Sequence, residues 1–449
     1  MSVVTDFDLI VLGAGPAGLA AANSAVTIHG DLSVLVIERE ERPGGILKQC
    51  IHDGFGLVRY KEKLTGPEYA RRDLAEFEAR GIQLMAETFV SGAGRDGDWI
   101  TLVCVNRDGI HQLRCRSLVL ATGCRERTDR QVFIHGDRPA GIYTAGLAQA
   151  LVNLHGLLPG RRALILGSGD IGLIMARRLT LEGMEVAGVY EVKPEVSGLE
   201  RNVQQCVLDF AIPLQLSTTV TRVFGKNRVE AVELCRVDAA MQPLPETAVR
   251  VACDTLILSV GLIPENEIAA SLGVSLDPKT KGPYVDQNMH TLADGVFACG
   301  NAVHVNDLVD YVSESAVVAG AAAARYALAA GSAARARSLL PLSSSGPVLY
   351  VVPQYIDAGS DTAAVLYFRS SRTIEQPARL ELRQLADGQG GAALLVTKKY
   401  AVLRPPEMER VVLPAAAVSA CRAFASGSGH ADEPANVLSL ALTVEDTNE

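Results

Sequence analysis

The chain has 449 residues, 48% of them hydrophobic, with a formal charge of −9 and a pI near 5.5. That length accommodates about three domains with large cores, and the acidic balance argues against nucleic acid or an anionic membrane as a partner. The apolar opening, residues 9–28, is broken by Gly-Ala-Gly-Pro and preceded by Asp6 and Asp8 with no basic leader, so it reads as neither signal nor membrane helix. No direct membrane insertion and a cytoplasmic location are therefore expected.

Residues 7–12 read as a buried parallel strand, 16–29 as a helix stopped by Gly30, and 33–37 as a second strand ending at Glu38. Between the first strand and the helix lies Gly13-Ala14-Gly15-Pro16-Ala17-Gly18. The first glycine permits a tight turn, the second lets backbone approach a pyrophosphate, and the third lets helix and strand pack closely. The helix N-terminus points free N–H groups at the phosphates, and Glu38 is placed to accept from ribose hydroxyls. A lone glycine pattern is weak; strand, helix and terminal acid together make it specific.

Next come a Gly-flanked loop, a helix at 66–80 and a strand at 87–90 ending at Val90. A hairpin of 99–105 with 110–116 follows, turned at Arg107-Asp108-Gly109. The glycine pattern then repeats. Residues 162–166 are a strand, Gly167-Ser168-Gly169-Asp170-Ile171-Gly172 opens a helix at 170–182, Gly183 stops it, and 186–190 is a strand closing at Glu191. Glu191 stands where a 2′-phosphate would have to fit, which favours NAD(H) over NADP(H). Arg177 and Arg178 fall on the helix, where a solvated face is their expected role. Two such units imply two nucleotide cofactors in one protein, the arrangement that passes a hydride between a flavin and a nicotinamide.

A meander spans 219–253, and 307–324 reads as a helix rich in small residues. The Ala-rich run 316–336 is interrupted by Arg325 and Arg335, so it reads as a soluble helix. Residues 342–347, LSSSGP, read as a linker. Beyond it, 348–352, 364–369, 379–383, 392–397, 410–413 and 437–442 are short β-rich runs separated by turn signals such as Asp387-Gly388. They predict a small all-β sandwich without a catalytic constellation, an interaction or dimerisation module.

Three further stretches complete a family pattern. They are 118–123 (LVLATG), 256–264 (LILSVGLIP) and 291–301 (TLADGVFACGN). In this order, over about residues 5–335, the chain resembles the pyridine nucleotide-dependent FAD oxidoreductases, the two-dinucleotide-binding flavoproteins. The resemblance implies an α/β fold of two Rossmann-like domains. An FAD-binding domain is split into 1–125 and 282–335, an NAD-binding domain occupies 126–281, and the C-terminal β-rich domain covers 346–449. It implies FAD contacts from Gly13, Gly15, Pro16, Ala17, Gly18, Glu38, Arg39, Gly44, Gly45, Val90, Ala121, Thr122, Gly123, Gly300 and Asn301, with the Val90 backbone at the adenine. NAD contacts fall to Gly167, Gly169, Asp170, Ile171, Gly172, Glu191 and Gly261. Position 301 departs from the family pattern, which has Asp; an amide still accepts from one ribityl hydroxyl and donates elsewhere. The family's helix at 307–324 aims its positive end at the flavin pyrimidine edge, favouring the anionic reduced form, with Val303, His304 and Leu308 near the ring.

Residues 44–69, GGILKQCIHDGFGLVRYKEKLTGPEY, with Gly123-Cys124-Arg125-Glu126-Arg127 and Arg138-Pro139-Ala140-Gly141, narrow the likeness. They resemble the FAD subunits beside glycerol-3-phosphate dehydrogenases of bacterial glycerol catabolism, and more distantly the α-type subunits of amino-acid-oxidising complexes. That implies a partner dehydrogenase or electron-transfer subunit; a homo-oligomer is the other arrangement.

The nine cysteines stand at 50, 104, 115, 124, 206, 235, 253, 299 and 421. No pair has either redox spacing of disulfide reductases, and none forms a zinc-like or iron–sulfur-like cluster, so no metal is expected. An odd, scattered set indicates a reducing compartment. Cys50 lies in the loop that the family passes near the isoalloxazine, where Lys48 and His52 would lower its pKa. Cys50, Lys48 and His52 are thus the catalytic candidates; a loop cysteine with no redox task is the other reading of Cys50, and Lys48, Gln49 and His52 could instead contact substrate or flavin N5. The alternatives to a dehydrogenase subunit are a stand-alone NADH peroxidase or oxidase using Cys50, and a redox-sensing protein that binds flavin and NAD.

Overall fold

The computed structural model describes residues 4–329, 337–385, 393–425 and 437–444. The turn at Asp387-Gly388 and the end of the Ala-rich run, 330–336, lie outside the described residues. Two compact units divide the chain: Met1–Leu47, His52–Cys124 and Pro264–Glu449 form one, Lys48–Ile51 and Arg125–Ile263 the other. Among the described residues no helix is long and apolar enough to cross a membrane.

The first unit opens with strand Val4–Leu12, whose Leu9 to Leu12 run is buried on both faces, as a central parallel strand requires. It pairs in parallel with Val34–Ile37 on one side and Gly109–Leu120 on the other. Helix α1, Pro16–Ile28, begins at Gly15 with Pro16 in its first turn, where a missing N–H costs nothing. Helix α2, Gly66–Ala79, carries a capping box between Thr65 and Glu68. Strands Phe89–Asp96 and Trp99–Asn106 complete one side of a seven-stranded sheet.

Gly109–Leu120 supplies the second arm of the expected hairpin and runs on without a break. The hairpin arm and the strand leading to 118–123 are a single strand, antiparallel to Trp99–Asn106 in its first part and parallel to Val4–Leu12 over most of its length. Alternating exposure near Ile110 gives way to full burial at Ser117 to Leu120, so one segment carries both periodicities.

The second unit has a parallel five-stranded sheet in the order Ile142–Thr144, Thr255–Leu258, Arg162–Leu166, Glu185–Tyr190, Leu214–Gln215. Helices α3, Ala145–His155, and α4, Asp170–Leu181, pack on it through Ala148, Val152, Leu173, Ala176 and Leu179. The meander is a four-stranded sheet containing Thr218–Phe224, Ala231–Arg236 and Val249–Ala252.

The chain then returns to the first unit. Strand Val296–Ala298 joins the first sheet beside Gly109–Leu120, and helix α5, Val309–Leu328, packs along α1. Small residues permit this: a Cβ on Gly320 would lie 2.0 Å from the Ala21 carbonyl oxygen.

The C-terminal module folds around its own core, in which Leu342, Phe368, Leu382 and Leu440 are buried. Residues 342–347 are not a linker: strand Leu339–Ser345 pairs in parallel with Val437–Val444, burying Leu340 and Leu342 while its serines fill the rest. The module therefore begins at least as early as Leu339. It also holds one helix, α6, Ala415–Ala425, which the strand pattern did not foretell.

Candidate functional site

The first cradle is shaped by contacts that only glycine survives. Gly13 has φ +99°, and a Cβ there would meet the Ala121 carbonyl oxygen at 2.5 Å. On Gly18 it would lie 1.7 Å from the Gly13 carbonyl oxygen. Gly15 packs against the Gly44-Gly45 loop, where a Cβ on Gly45 would come within 2.9 Å of Gly15 Cα, and it precedes the α1 N-terminus, whose first N–H groups lack intrahelical partners. Gly44 N donates to the Ala14 carbonyl at 2.7 Å, fastening the Gly44-Gly45 loop to this turn. Buried Glu38 accepts Ala14 N at 2.7 Å and Glu40 N at 2.9 Å.

The second cradle repeats the geometry. Gly167 also has φ +99°, and Cβ atoms on Gly167 and Gly172 would approach the carbonyl oxygens of Ser259 and Gly167 to 2.1 and 2.6 Å. Buried Glu191 accepts Ser168 N at 2.9 Å, Ser168 Oγ at 2.6 Å and Lys193 N at 3.0 Å. Asp170, in the first turn of α4 ahead of half-buried Ile171, accepts Leu199 N at 2.9 Å and Asn202 Nδ2 at 2.7 Å. Gly169 caps that helix, and Gly261, at φ +97°, accepts Arg127 N at 3.1 Å. Glycine turns at helix N-termini, each flanked by a pinned buried carboxylate, fit adenine dinucleotides at both places.

Three of the remaining flavin candidates, Arg39, Thr122 and Gly123, meet at Glu265. Thr122 Oγ1 donates to its carbonyl at 2.6 Å, its N–H reaches the Gly123 carbonyl at 3.0 Å, and Arg39 pairs with its carboxylate at 3.2 Å. Ala121 N donates to the Leu12 carbonyl. Val90 is half-buried in strand Phe89–Asp96, opposite Cys104. Gly300 N donates to Ser315 Oγ at 3.0 Å. Asn301 Oδ1 accepts both nitrogens of Asn306, at 3.0 and 3.2 Å, while its Nδ2 donates to Cys124 Sγ at 3.5 Å.

The α5 N-terminus is not a bare positive end. Asp310 stands in its first turn and accepts Gly56 N and Arg59 N, so its charge offsets the helix dipole while anchoring the 53–63 loop. Arg59 in turn makes a two-point ion pair with buried Asp73 of α2. Val303 and His304 are buried, Leu308 half-buried.

Burial governs Cys50. It is 4% exposed, and burial pushes its thiol up to about 12. Sγ donates to Gln149 Oε1 at 3.6 Å, and Gln49 Nε2 donates to the same oxygen and to the Gly146 carbonyl. The thiol form is thus favoured; Lys48 and His52 do not overcome the loss of water. His52 instead stacks obliquely on Phe55, 5.0 Å between centroids. The nine cysteines, all among the described residues, stand as free thiols in this structure. Sequence reasoning passed over Gln149, Ser315 and Glu265, which act across long chain separations; the Asn301–Asn306 pair, five residues apart, was within its reach.

Hydrogen cyanide synthase subunit HcnB of Pseudomonas protegens is 26% identical over 288 residues, 59% of this chain and 58% of that protein. An opine oxidase subunit from Agrobacterium tumefaciens is 23% identical over 355 residues, covering 73% of this chain and 67% of that one. The chain thus spans less than two thirds of the length of the first of these relatives. The thioredoxin reductase of Lactococcus lactis superposes with a TM-score of 0.59 at 20% identity, over 72% of this chain and 99% of that one, a likeness of fold. Both cradles and the 291–301 fingerprint fall within residues 7–323, which match the family described as pyridine nucleotide-disulphide oxidoreductase, and to that family the chain belongs.

Proposed function

We propose that this chain exchanges hydride between NAD(H) and a bound FAD, as the flavin-carrying subunit of a catabolic dehydrogenase complex. Family membership implies FAD and NAD(P) as ligands. The observation that carries the reading is the duplication of one cradle within one chain, with matching glycines and matching pinned acids. When bound, the two coenzymes supply the hydride chemistry, and the protein supplies position and electrostatics. The N-termini of α1 and α4 bind pyrophosphate, while Glu38 and Glu191 hold ribose hydroxyls with their remaining lone pairs. Glu191 selects NAD(H) over NADP(H), because its buried charge repels a 2′-phosphate. Asn301, held by Asn306, fixes the segment that carries the ribityl chain.

The two relatives described above are each named as one subunit of an enzyme, which supports a partner chain for this protein as well. The substrate oxidised on that partner is of polyol or amine type, with glycerol 3-phosphate the candidate drawn from residues 44–69. A thiol step through Cys50 has little support, since the buried thiol is held protonated.

Anaerobic titration of the purified protein with NADH tests the reading. Bleaching of the visible flavin band at one equivalent is expected, with NADPH less effective. Flavin that stays oxidised under excess NADH overturns it. Turnover of glycerol 3-phosphate by the isolated chain as fast as by a reconstituted mixture removes the need for a partner.

A further inference from the structure

The segment between the second fingerprint and α5, residues 301–308, is held from several sides. Asn266 Nδ2 donates to the Ala302 carbonyl at 2.9 Å, and Asn306 closes on Asn301. The tightest grip comes from the C-terminal module. Arg369, on strand Ala364–Ser370, donates through Nη2 to the Val305 carbonyl at 3.2 Å and to the Asp307 carboxylate. Its Nη1 reaches the Pro406 carbonyl at 2.7 Å and that of Pro405 at 3.3 Å, and its Nε donates to Tyr350 Oη at 3.0 Å. Asp307 also accepts Met408 N at 2.5 Å.

The arginine and aspartate side chains are only 14% and 18% exposed. A buried guanidinium whose donors all have acceptors fixes geometry more firmly than a surface pair does. Beside it, His304 lies against the rings of Tyr350 and Tyr367, with centroids 5.9 and 5.8 Å away. Among the described residues, His304 Nδ1 is a buried ring nitrogen with no hydrogen-bond partner. A second clamp follows one turn into α5, where Arg410 and Tyr367 both bond Glu314.

We infer that Arg369 is a positioning residue of the flavin site: through Asp307 and the Val305 carbonyl it sets the 301–308 segment, making the C-terminal module an integral wall of the FAD cradle. This rests on the flavin reading above. The module's role is then at least partly internal to its own chain, since its arginine acts on the stretch that follows the flavin fingerprint. Losing the guanidinium removes the cation paired with the half-buried Asp307 carboxylate, which keeps its bond from Met408 N, and takes a donor from the Val305, Pro405 and Pro406 carbonyls, so the segment relaxes.

The test uses the full chain. Wild type, Arg369→Met and Arg369→Lys are stripped of flavin and titrated with FAD, and the spectrum and midpoint potential of the bound flavin are compared. Arg369→Met is expected to lose on the order of tenfold or more in FAD affinity, with a shifted spectrum and potential. Arg369→Lys keeps the charge without the planar fork and recovers part of the loss. NADH binding to the apoproteins, read by nicotinamide fluorescence, stays at the wild-type level in all three. Arg369→Met with wild-type affinity, spectrum and potential overturns the inference. If that variant does not fold, Asp307→Asn decides: several-fold weaker FAD binding supports the inference, and unchanged binding overturns it. Wild-type protein that takes up no FAD overturns the flavin reading and this inference together, an outcome distinct from a variant that binds flavin normally.

Discussion

Glu38 and Glu191 occupy equivalent stations in separate sheets. Each takes the N–H of the second residue in its glycine pattern on one oxygen, Ala14 at 2.7 Å and Ser168 at 2.9 Å. Each takes the N–H two residues further along on the other oxygen, Glu40 at 2.9 Å and Lys193 at 3.0 Å. Both carboxylates are nearly buried, so neither can swing aside, and their charge acts at a fixed point.

On the proposed reading, that fixity lets Glu191 discriminate between NADH and NADPH. Glu191→Ser removes the charge and frees space, and the NADPH-to-NADH ratio of kcat/KM should rise by roughly tenfold or more. The two ratios are measured under identical salt. An unchanged ratio removes Glu191 from nucleotide choice.

Gly18 and Gly30 make a matched pair. A Cβ at Gly18 would sit 1.7 Å from a carbonyl oxygen, whereas one at Gly30 meets nothing within 4 Å. Gly18→Ala should cost about 1–3 kcal/mol or more and abolish flavin retention, because α1 has to move off the turn. Gly30→Ala should change stability by no more than about 0.5 kcal/mol. Urea midpoints and flavin content after gel filtration decide it; equal behaviour of the two variants contradicts the packing argument.

With its thiol pushed up to about 12, Cys50 holds on the order of one part in 10^5 as thiolate at neutral pH. Native protein should therefore leave Cys50 unalkylated by iodoacetamide while denatured protein is labelled. Cys50→Ser should keep NADH-dependent flavin reduction at the wild-type rate. A large fall in that rate would bring the thiol back as a reacting group.

Acid should destabilise the fold through two buried imidazoles. Burial, with nearby arginines, lowers His290 and His304 from 6.5 to about 3. A depressed folded pKa means stability is complete above about 6.5 and is lost as pH falls toward 3. Asp286, raised from 3.8 to about 6 by burial, has the opposite sign: its contribution is present below 3.8 and is lost as pH rises through about 6. Between pH 6.5 and 4 the two imidazoles outweigh Asp286, while Asp73 and Glu409, also raised by burial, act in the same direction as Asp286 and reduce the net loss. Denaturant midpoints at pH 7 and pH 5 measure it, and His304→Phe should flatten the slope. A slope that persists undiminished assigns the effect elsewhere.

The parts of the fold legible in sequence were those written in local pattern. Strand Arg162–Leu166 and helix Asp170–Leu181 fall where glycine spacing and apolar runs put them, because turn chemistry and burial act over a few residues. The hairpin arm of Gly109–Leu120 is legible, but its continuity into 118–120 is not, because its two halves face different environments, and the serines of Leu339–Ser345 read as a linker because the strand that pairs with them is distant. The pinning of Glu191 by Ser168 follows from the motif, whereas the bond from Arg369 to Asp307 does not. Nothing local marks two side chains that meet only after a module folds back.

Strand Val296–Ala298 joins a sheet begun at Val4 and helix α5 packs along α1, yet both are translated only after Arg125–Ile263. On the ribosome the alanine face of α1 therefore emerges without its cover, while the intervening unit can mature by itself. Synthesis imposes an order in which the interior piece is finished first and the outer one is sealed late, exposing a greasy helix to chaperones in the interval.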